Sequence, residues 1–185
     1  MAQRVIALEL LASKESSGSG FFDVAARALT IGLGCRWAGF GRLLDDGRTV
    51  EVIAFWDARG PSSAFSYEID NSPCGEVYSA RPEQPYRFFP DGVTERFAGP
   101  PVLAQIGAVS YRGEAIFNSD GETVAHAFAI GDRPFDDDPQ AEEFFAWSAK
   151  GPAPNSIANG RKRRCIARVR KQLWQAGRKP NSLPI

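Results

Sequence analysis

The 185-residue sequence predicts an α+β fold built on one central antiparallel sheet. Two observations carry that reading. Apolar, β-prone segments occur in two pairs, and each pair is joined by a short run of turn-forming residues. The order along the chain is helix, helix, hairpin, short helix, long loop, hairpin, helix.

Each element has a local reason. Residues 3–13 carry a dense apolar set, Val5, Ile6, Leu8, Leu10 and Leu11. That reads as a helix with more than one apolar face, packed on the domain and on a partner helix. Residues 16–20, Ser-Ser-Gly-Ser-Gly, form a short flexible link. Phe21, Phe22, Ala25, Ala26 and Leu29 then recur at helical spacing, and Gly32 and Gly34 stop the helix. Residues 36–44 and 49–56 read as strands around the turn Asp45-Asp46-Gly47-Arg48. Ser72 before Pro73 fits an N-cap and a first helical position, opening a short helix through Cys74 and Val77. The Pro-rich residues 81–101 read as loop with one helical turn, and so long a connection is often functional. Residues 108–117 and 123–130 form the second hairpin. On its second strand Val124, His126, Phe128 and Ile130 point one way and Ala125, Ala127 and Ala129 the other. The alanine face lets helices approach closely. Asp136, Asp137 and Asp138 lead into a helix over 140–147, and acids suit a helix N-terminus.

Length and composition bound the rest. The chain has room for one domain with a single sizeable core. No apolar run reaches the roughly 18 residues of a membrane span. The opening Met1-Ala2-Gln3-Arg4-Val5 lacks the plan of a secretory signal. Cys35, Cys74 and Cys165 are odd in number and lack paired spacing, which argues against a disulfide framework. These features predict a cytoplasmic protein. The zero net charge hides an asymmetry: residues 161–185 hold nine basic residues and no acid, against 13 basic and 22 acidic in residues 1–160.

Residues 67–132 hold the most informative motifs. They run Tyr67-Glu-Ile-Asp-Asn-Ser-Pro-Cys74, Gly75-Glu-Val-Tyr78, a loop ending Phe88-Phe89-Pro90-Asp91, and Gly107-Ala-Val-Ser-Tyr111-Arg-Gly113. Asn118-Ser-Asp-Gly121 and Thr123-Val-Ala-His126-Ala-Phe-Ala-Ile130-Gly-Asp132 close the stretch. The Pro-Cys helix start and the later Ser-Tyr-x-Gly strand resemble the bacterial subgroup of the GAF family of small-molecule sensor domains. The resemblance covers residues 1–147. It implies a GAF/PAS-like sheet with terminal helices on one face. On the other face it implies a pocket roofed by the middle loop and short helices.

The candidate pocket residues are Tyr67, Cys74, Tyr86, Phe89, Phe97, Ser110, Tyr111 and His126. Tyr67, Tyr86, Phe89, Phe97 and Tyr111 offer faces for stacking on a planar ligand, or simply form core. Cys74, near a helix N-terminus, reads as a small residue closing the pocket wall, with redox sensing or covalent attachment as alternatives. His126, the only histidine, reads as a packed core residue, with ligand contact as the alternative. Ser110 and Arg112 alternate with Tyr111, so only one set faces the pocket. Arg112 reads as a solvated strand-edge charge, or else an anion ligand.

Several branches of the family are not matched. The phytochrome-like branch attaches a bilin through a cysteine commonly followed by His. Here Gly75 follows Cys74, so no bilin is expected. No second His or acid stands at metal-ligand spacing from His126, so no metal is expected. The Asn-Lys-x-Phe-Asp-Glu signature of the cyclic-nucleotide branch is missing. A methionine-sulfoxide reductase of this family needs several cysteines around one pocket, which would require Cys35 and Cys74 to meet.

After Phe145 the resemblance stops. Prolines at 152 and 154 forbid the long helix that usually follows such a domain. Written with G- or C-ending codons and read one base out of frame, residues 151–175 give a charged, alanine-rich stretch with no stop. The expectation is therefore a 148–185 tail that is a frame-shifted signalling helix, non-native here. The alternative is a genuine basic arm that binds nucleic acid through residues 161–179.

The function expected is small-molecule sensing in a bacterial signal-transduction protein: a sensor kinase of a two-component system, a cyclase or a transcriptional regulator. The chain itself is expected to do no chemistry, any output enzyme such as a histidine kinase lying outside it. The expected partners are an unidentified small-molecule ligand and a second copy docked through the terminal helices, with no membrane. Nucleic-acid binding stands as the alternative function, and sulfoxide reduction as the third.

Overall fold

The structure is a computed structural model that describes residues 2–12, 20–63, 65–99 and 101–150. The flexible link at 16–20 falls almost wholly outside these residues. The basic arm and the frame-shifted reading fall outside them beyond residue 150.

The chain runs α1 (Ala2–Ala12), α2 (Phe21–Leu33), β1 (Trp37–Leu43), β2 (Thr49–Asp57), β3 (Gly60–Ser62) and β4 (Ser66–Glu68). It continues α3 (Pro73–Tyr78), β5 (Tyr86–Phe89), α4 (Val93–Arg96), α5 (Pro101–Gln105), β6 (Ser110–Phe117), β7 (Thr123–Gly131) and α6 (Pro139–Lys150). The fold is α+β. A single seven-stranded sheet has the order β3-β2-β1-β7-β6-β5, and every pairing is antiparallel. The short strands β3 and β4 lie end to end along the outer edge of β2.

Two cores sandwich the sheet. On one face Phe21, Phe22, Ala25 and Leu29 of α2 and Phe144 and Phe145 of α6 pack against Ala38, Phe40, Ala125, Ala127 and Ala129. The alanines admit the helices as their alternation predicts. α1 packs on the back of α2. On the opposite face Val50, Val52, Phe128 and Ile130 meet Cys74, Val77, Phe89, Val93, Phe97, Leu103 and Tyr111.

The middle of the chain is more ordered than its prolines suggest. Residues 81–101 contain the edge strand β5, which pairs Phe88 with Arg112 and Phe89 with Tyr111. They also contain α4 and the first residue of α5. Pro85 and Pro90 flank β5 without entering it, because a strand interior needs backbone donors. Val124 departs from strict alternation and packs toward the helices. The register shifts between Ile116 and Phe117, whose partners are Ala125 and Thr123. Val124 is the extra residue of that bulge.

Candidate functional site

A cavity sits on the helix-poor face, between the sheet and α5. Phe55 of β2, Tyr67 of β4 and Phe128 and Ile130 of β7 form its floor, with Phe65 beside them. Ser72, Pro73 and Cys74 at the start of α3 close one side. Val102, Leu103 and Ile106, on and just after α5, form the roof. The cavity volume is about 40 Å³, and its inner surface is apolar.

The side is fixed by local chemistry. The Ser72 hydroxyl donates to the Ile69 carbonyl at 2.6 Å and accepts from the Gly75 amide at 3.0 Å, capping α3. Pro73 occupies the first turn, where a missing N–H costs nothing. Cys74 is thereby aimed at the sheet.

Behind the wall lies a buried polar chain. The Tyr111 hydroxyl donates to Cys74 Sγ at 3.3 Å, and the Tyr67 hydroxyl faces the same sulfur. His126, fully buried, stands with Nδ1 2.9 Å from the Tyr78 hydroxyl and Nε2 3.5 Å from the Tyr67 hydroxyl. The Tyr78 hydroxyl donates to the Gly41 carbonyl at 3.3 Å. With the Tyr78 hydroxyl donating to Gly41, the bond between His126 and Tyr78 requires Nδ1–H as its donor. The ring packs directly on Gly41, where a Cβ would stand 2.5 Å from His126 Cε1. Gly113 makes room in the same way, since a Cβ there would meet the Tyr111 hydroxyl at 2.5 Å.

Burial keeps every group in this chain neutral. It pushes the His126 imidazole down to about 3. It raises the Cys74 thiol, against the pull of the Tyr111 and Tyr67 hydroxyls. Tyr67 and Tyr111 are raised well above the ordinary phenol range, again by burial.

The sequence candidates divide between the two sheet faces. Tyr67 and Cys74 line the cavity. Phe89, Phe97 and Tyr111 pack in the core beside it, and His126 stacks on the cavity residue Phe128 at 5.3 Å. Tyr86 and Ser110 lie elsewhere. Tyr86 packs edge-on against Phe145 of α6 at 5.9 Å. Ser110 is on the face of β6 opposite Tyr111, where its hydroxyl donates to the Arg133 carbonyl at 2.7 Å. Arg112 is not a solvated edge charge: it is 3% exposed, because β5 extends the sheet beyond β6. Its guanidinium lies 4.2 Å over Phe88 and donates to the Tyr86 hydroxyl at 2.8 Å and the Asp136 carbonyl at 2.6 Å.

Phe55, Phe65, Val102, Leu103, Ile106, Phe128 and Ile130 are cavity residues absent from the sequence-based set. Pro101 followed by Val102, Leu103 and Ile106 was the available signal, a first-turn proline before apolar residues at helical spacing. Among the described residues no group of three His, Cys, Asp or Glu stands together to hold a metal ion. None of the described helices is long and apolar enough to cross a membrane.

Similarity to solved structures places this architecture. A structure described as a GAF domain is 20% identical, covers 77% of this chain and 82% of its own, and superposes with a TM-score of 0.56. The chain has a GAF-like fold. The chromophore-binding domain of an unusual bacteriophytochrome from R. palustris is 14% identical, with a TM-score of 0.56 over 95% of this chain and 60% of that one. This chain thus matches less than two thirds of that domain's length. Free methionine-R-sulfoxide reductase from Neisseria meningitidis, in complex with its substrate, is 14% identical, with a TM-score of 0.60 over 94% of this chain and 89% of that one. No protein-family model matches the sequence. No curated protein matches it at the sequence level.

Two expectations are corrected by these neighbours. Exclusion of a bilin rested on Gly75 following Cys74, yet chromophore-binding domains share the GAF-like fold of nearly the whole chain. One residue beside one cysteine is too narrow a ground when the scaffold itself is shared. At about 40 Å³ the cavity is smaller than the roughly 150 Å³ that takes up benzene, so a group as large as a chromophore enters only if the lining moves. Exclusion of enzymatic activity rested on missing motifs, yet an enzyme shares this GAF-like fold over almost its full length. Cys35 does not join Cys74: it belongs to the helix-side core, where burial pushes its thiol up to about 12.

Proposed function

We propose that this chain is a small-molecule-responsive regulatory domain of a bacterial signal-transduction protein, its ligand taken up in the cavity beneath α5. The observation that carries the proposal is the cavity's position. The helix side of the sheet is filled by Phe22, Phe40, Phe144 and Phe145, whereas the opposite face retains space under short helices. Pockets of this kind, apolar and partly pre-formed, are the usual seat of small ligands.

Signal transmission follows from strand alternation. Tyr111 reaches Cys74 at the cavity wall, and its neighbour Arg112 reaches the opposite side to hold Asp136 and Tyr86 beside α6. A ligand that binds two arrangements of α3 and α5 unequally therefore biases β6 and the α6 docking site. The readout we propose is a homodimer formed through α1, where Val5, Ile6 and Leu8 are 53%, 50% and 40% exposed.

Native mass spectrometry of the purified chain tests both parts. The expected spectrum shows a dimer with a small molecule that is lost from an Ile106→Trp variant. A wild-type chain that never carries a molecule, with no ligand found by screening, would sink the reading.

A second reading is sulfoxide reduction, favoured by the reductase neighbour and by Cys74 in the cavity wall. Turnover of free methionine sulfoxide that disappears in Cys74→Ser would establish it. Equal turnover in wild type and variant would remove Cys74 from any such chemistry.

A further inference from the structure

We infer that the ligand of this cavity is a small uncharged hydrocarbon-like molecule, no larger than a single ring, recognised by shape and desolvation rather than by hydrogen bonds. The inference rests on the pocket proposed above and specifies its ligand class. Three observations carry it.

First, the wall exposes no polar atom and carries no Asp, Glu, Lys, Arg or His. An ionised ligand would lose its hydration there and meet no counter-charge. Second, the polar side chains nearest the space are already committed inward. Ser72 Oγ holds Ile69 and Gly75. The Tyr67 hydroxyl faces Cys74 and His126, and the Tyr111 hydroxyl holds Cys74. The protons of these groups are thus already spent, and none is left to donate to a ligand oxygen. Third, the wall offers aromatic faces: Phe55 and Phe65 meet edge-on at 5.4 Å, and Phe55 lies 6.0 Å from Phe128. Such walls accept edges and faces of another ring. An apolar cavity of about 150 Å³ stays dry and takes up benzene; this one, at about 40 Å³, exceeds the roughly 10–15 Å³ of a single water but gives a water none of the two to four polar partners it needs.

The burial of His126 strengthens the argument. It stands one layer behind the wall, hydrogen-bonded to Tyr78 and stacked on Phe128. It is sealed from the cavity by the residues that line it, so it does not supply a cation to an anionic ligand.

The test is an isosteric series followed by amide chemical shifts of the ¹⁵N-labelled full chain. Toluene, phenol and benzoate share a ring and differ in one substituent. Toluene is expected to shift the amides of Phe65, Val102 and Ile106. Phenol is expected to bind at least about fivefold more weakly, since a buried hydroxyl proton without an acceptor is not repaid for its lost hydration. Benzoate is expected to leave those amides unmoved. Phenol binding as tightly as toluene, or benzoate shifting the same amides, overturns the ligand class and leaves the pocket standing. No shift with any of the three overturns the pocket as well. Ile106→Trp, which fills the space, should abolish the toluene shifts. Shifts that persist in a folded variant place toluene elsewhere and overturn the assignment.

Discussion

The residue with the clearest physical signature is His126. Its imidazole is held near 3 in the folded chain against an ordinary 6.5, by burial first. A folded value below the unfolded one means that the unfolded chain binds the proton first. Stability is then fully present above about 6.5 and is lost as pH falls toward about 3. The chain should be about 2 kcal/mol less stable at pH 5 than at pH 7, measured by chemical denaturation. Asp46, held down by the Thr49 hydroxyl, Asp138, held down by Arg4, and Asp57, also held below 3.8, titrate in the acid part of this range and leave the interval from pH 7 to pH 5 to His126. His126→Gln should flatten the slope between those pH values. An unchanged slope in the variant would show that another group titrates. The sequence showed a single histidine on an alternating strand. It did not show the tyrosines that surround it, because Tyr67 and Tyr78 arrive from β4 and α3, distant in sequence.

Among the elements, α3 was legible and α5 was not. Ser72-Pro73 announces a capped helix start by local chemistry alone. Ser72→Ala removes both hydrogen bonds of the cap and should cost about 1 kcal/mol in unfolding free energy. It should also loosen the Cys74 side of the cavity, visible as faster amide exchange at Gly75. Exchange equal to wild type would mean that packing, not the cap, places α3. The roof helix α5 was read as loop because Pro101 follows other prolines and the apolar spacing after it is short. Phe55 was hidden for a different reason. Alternation from Val50 and Val52 would send Ala54 to the cavity side and Phe55 to the helices. The register shift opposite Phe40 and Gly41 inserts Ile53 as an extra residue, so Ala54 joins the helix-side core and Phe55 faces the cavity. Bulges of this kind depend on partner strands and leave no mark in a single sequence. The same limit applied to β5, whose pairing with β6 buries Arg112 and converts an expected surface charge into a tie between the sheet and the segment leading into α6.

At the scale of the whole molecule, one sheet separates two differently built cores. The helix-side core is filled by aromatic rings and alanines, and it was largely readable from periodicity. The opposite core is roofed by short elements, and its space depends on how α3, α5 and β4 meet over β7. That asymmetry is what the functional account depends on. A crystal of the chain pressurised with xenon examines it directly, because xenon enters dry apolar space without needing a polar partner. The account predicts a xenon atom enclosed by Phe65, Val102, Ile106 and Phe128. Side chains filling that volume, with xenon found only elsewhere or not at all, would contradict it.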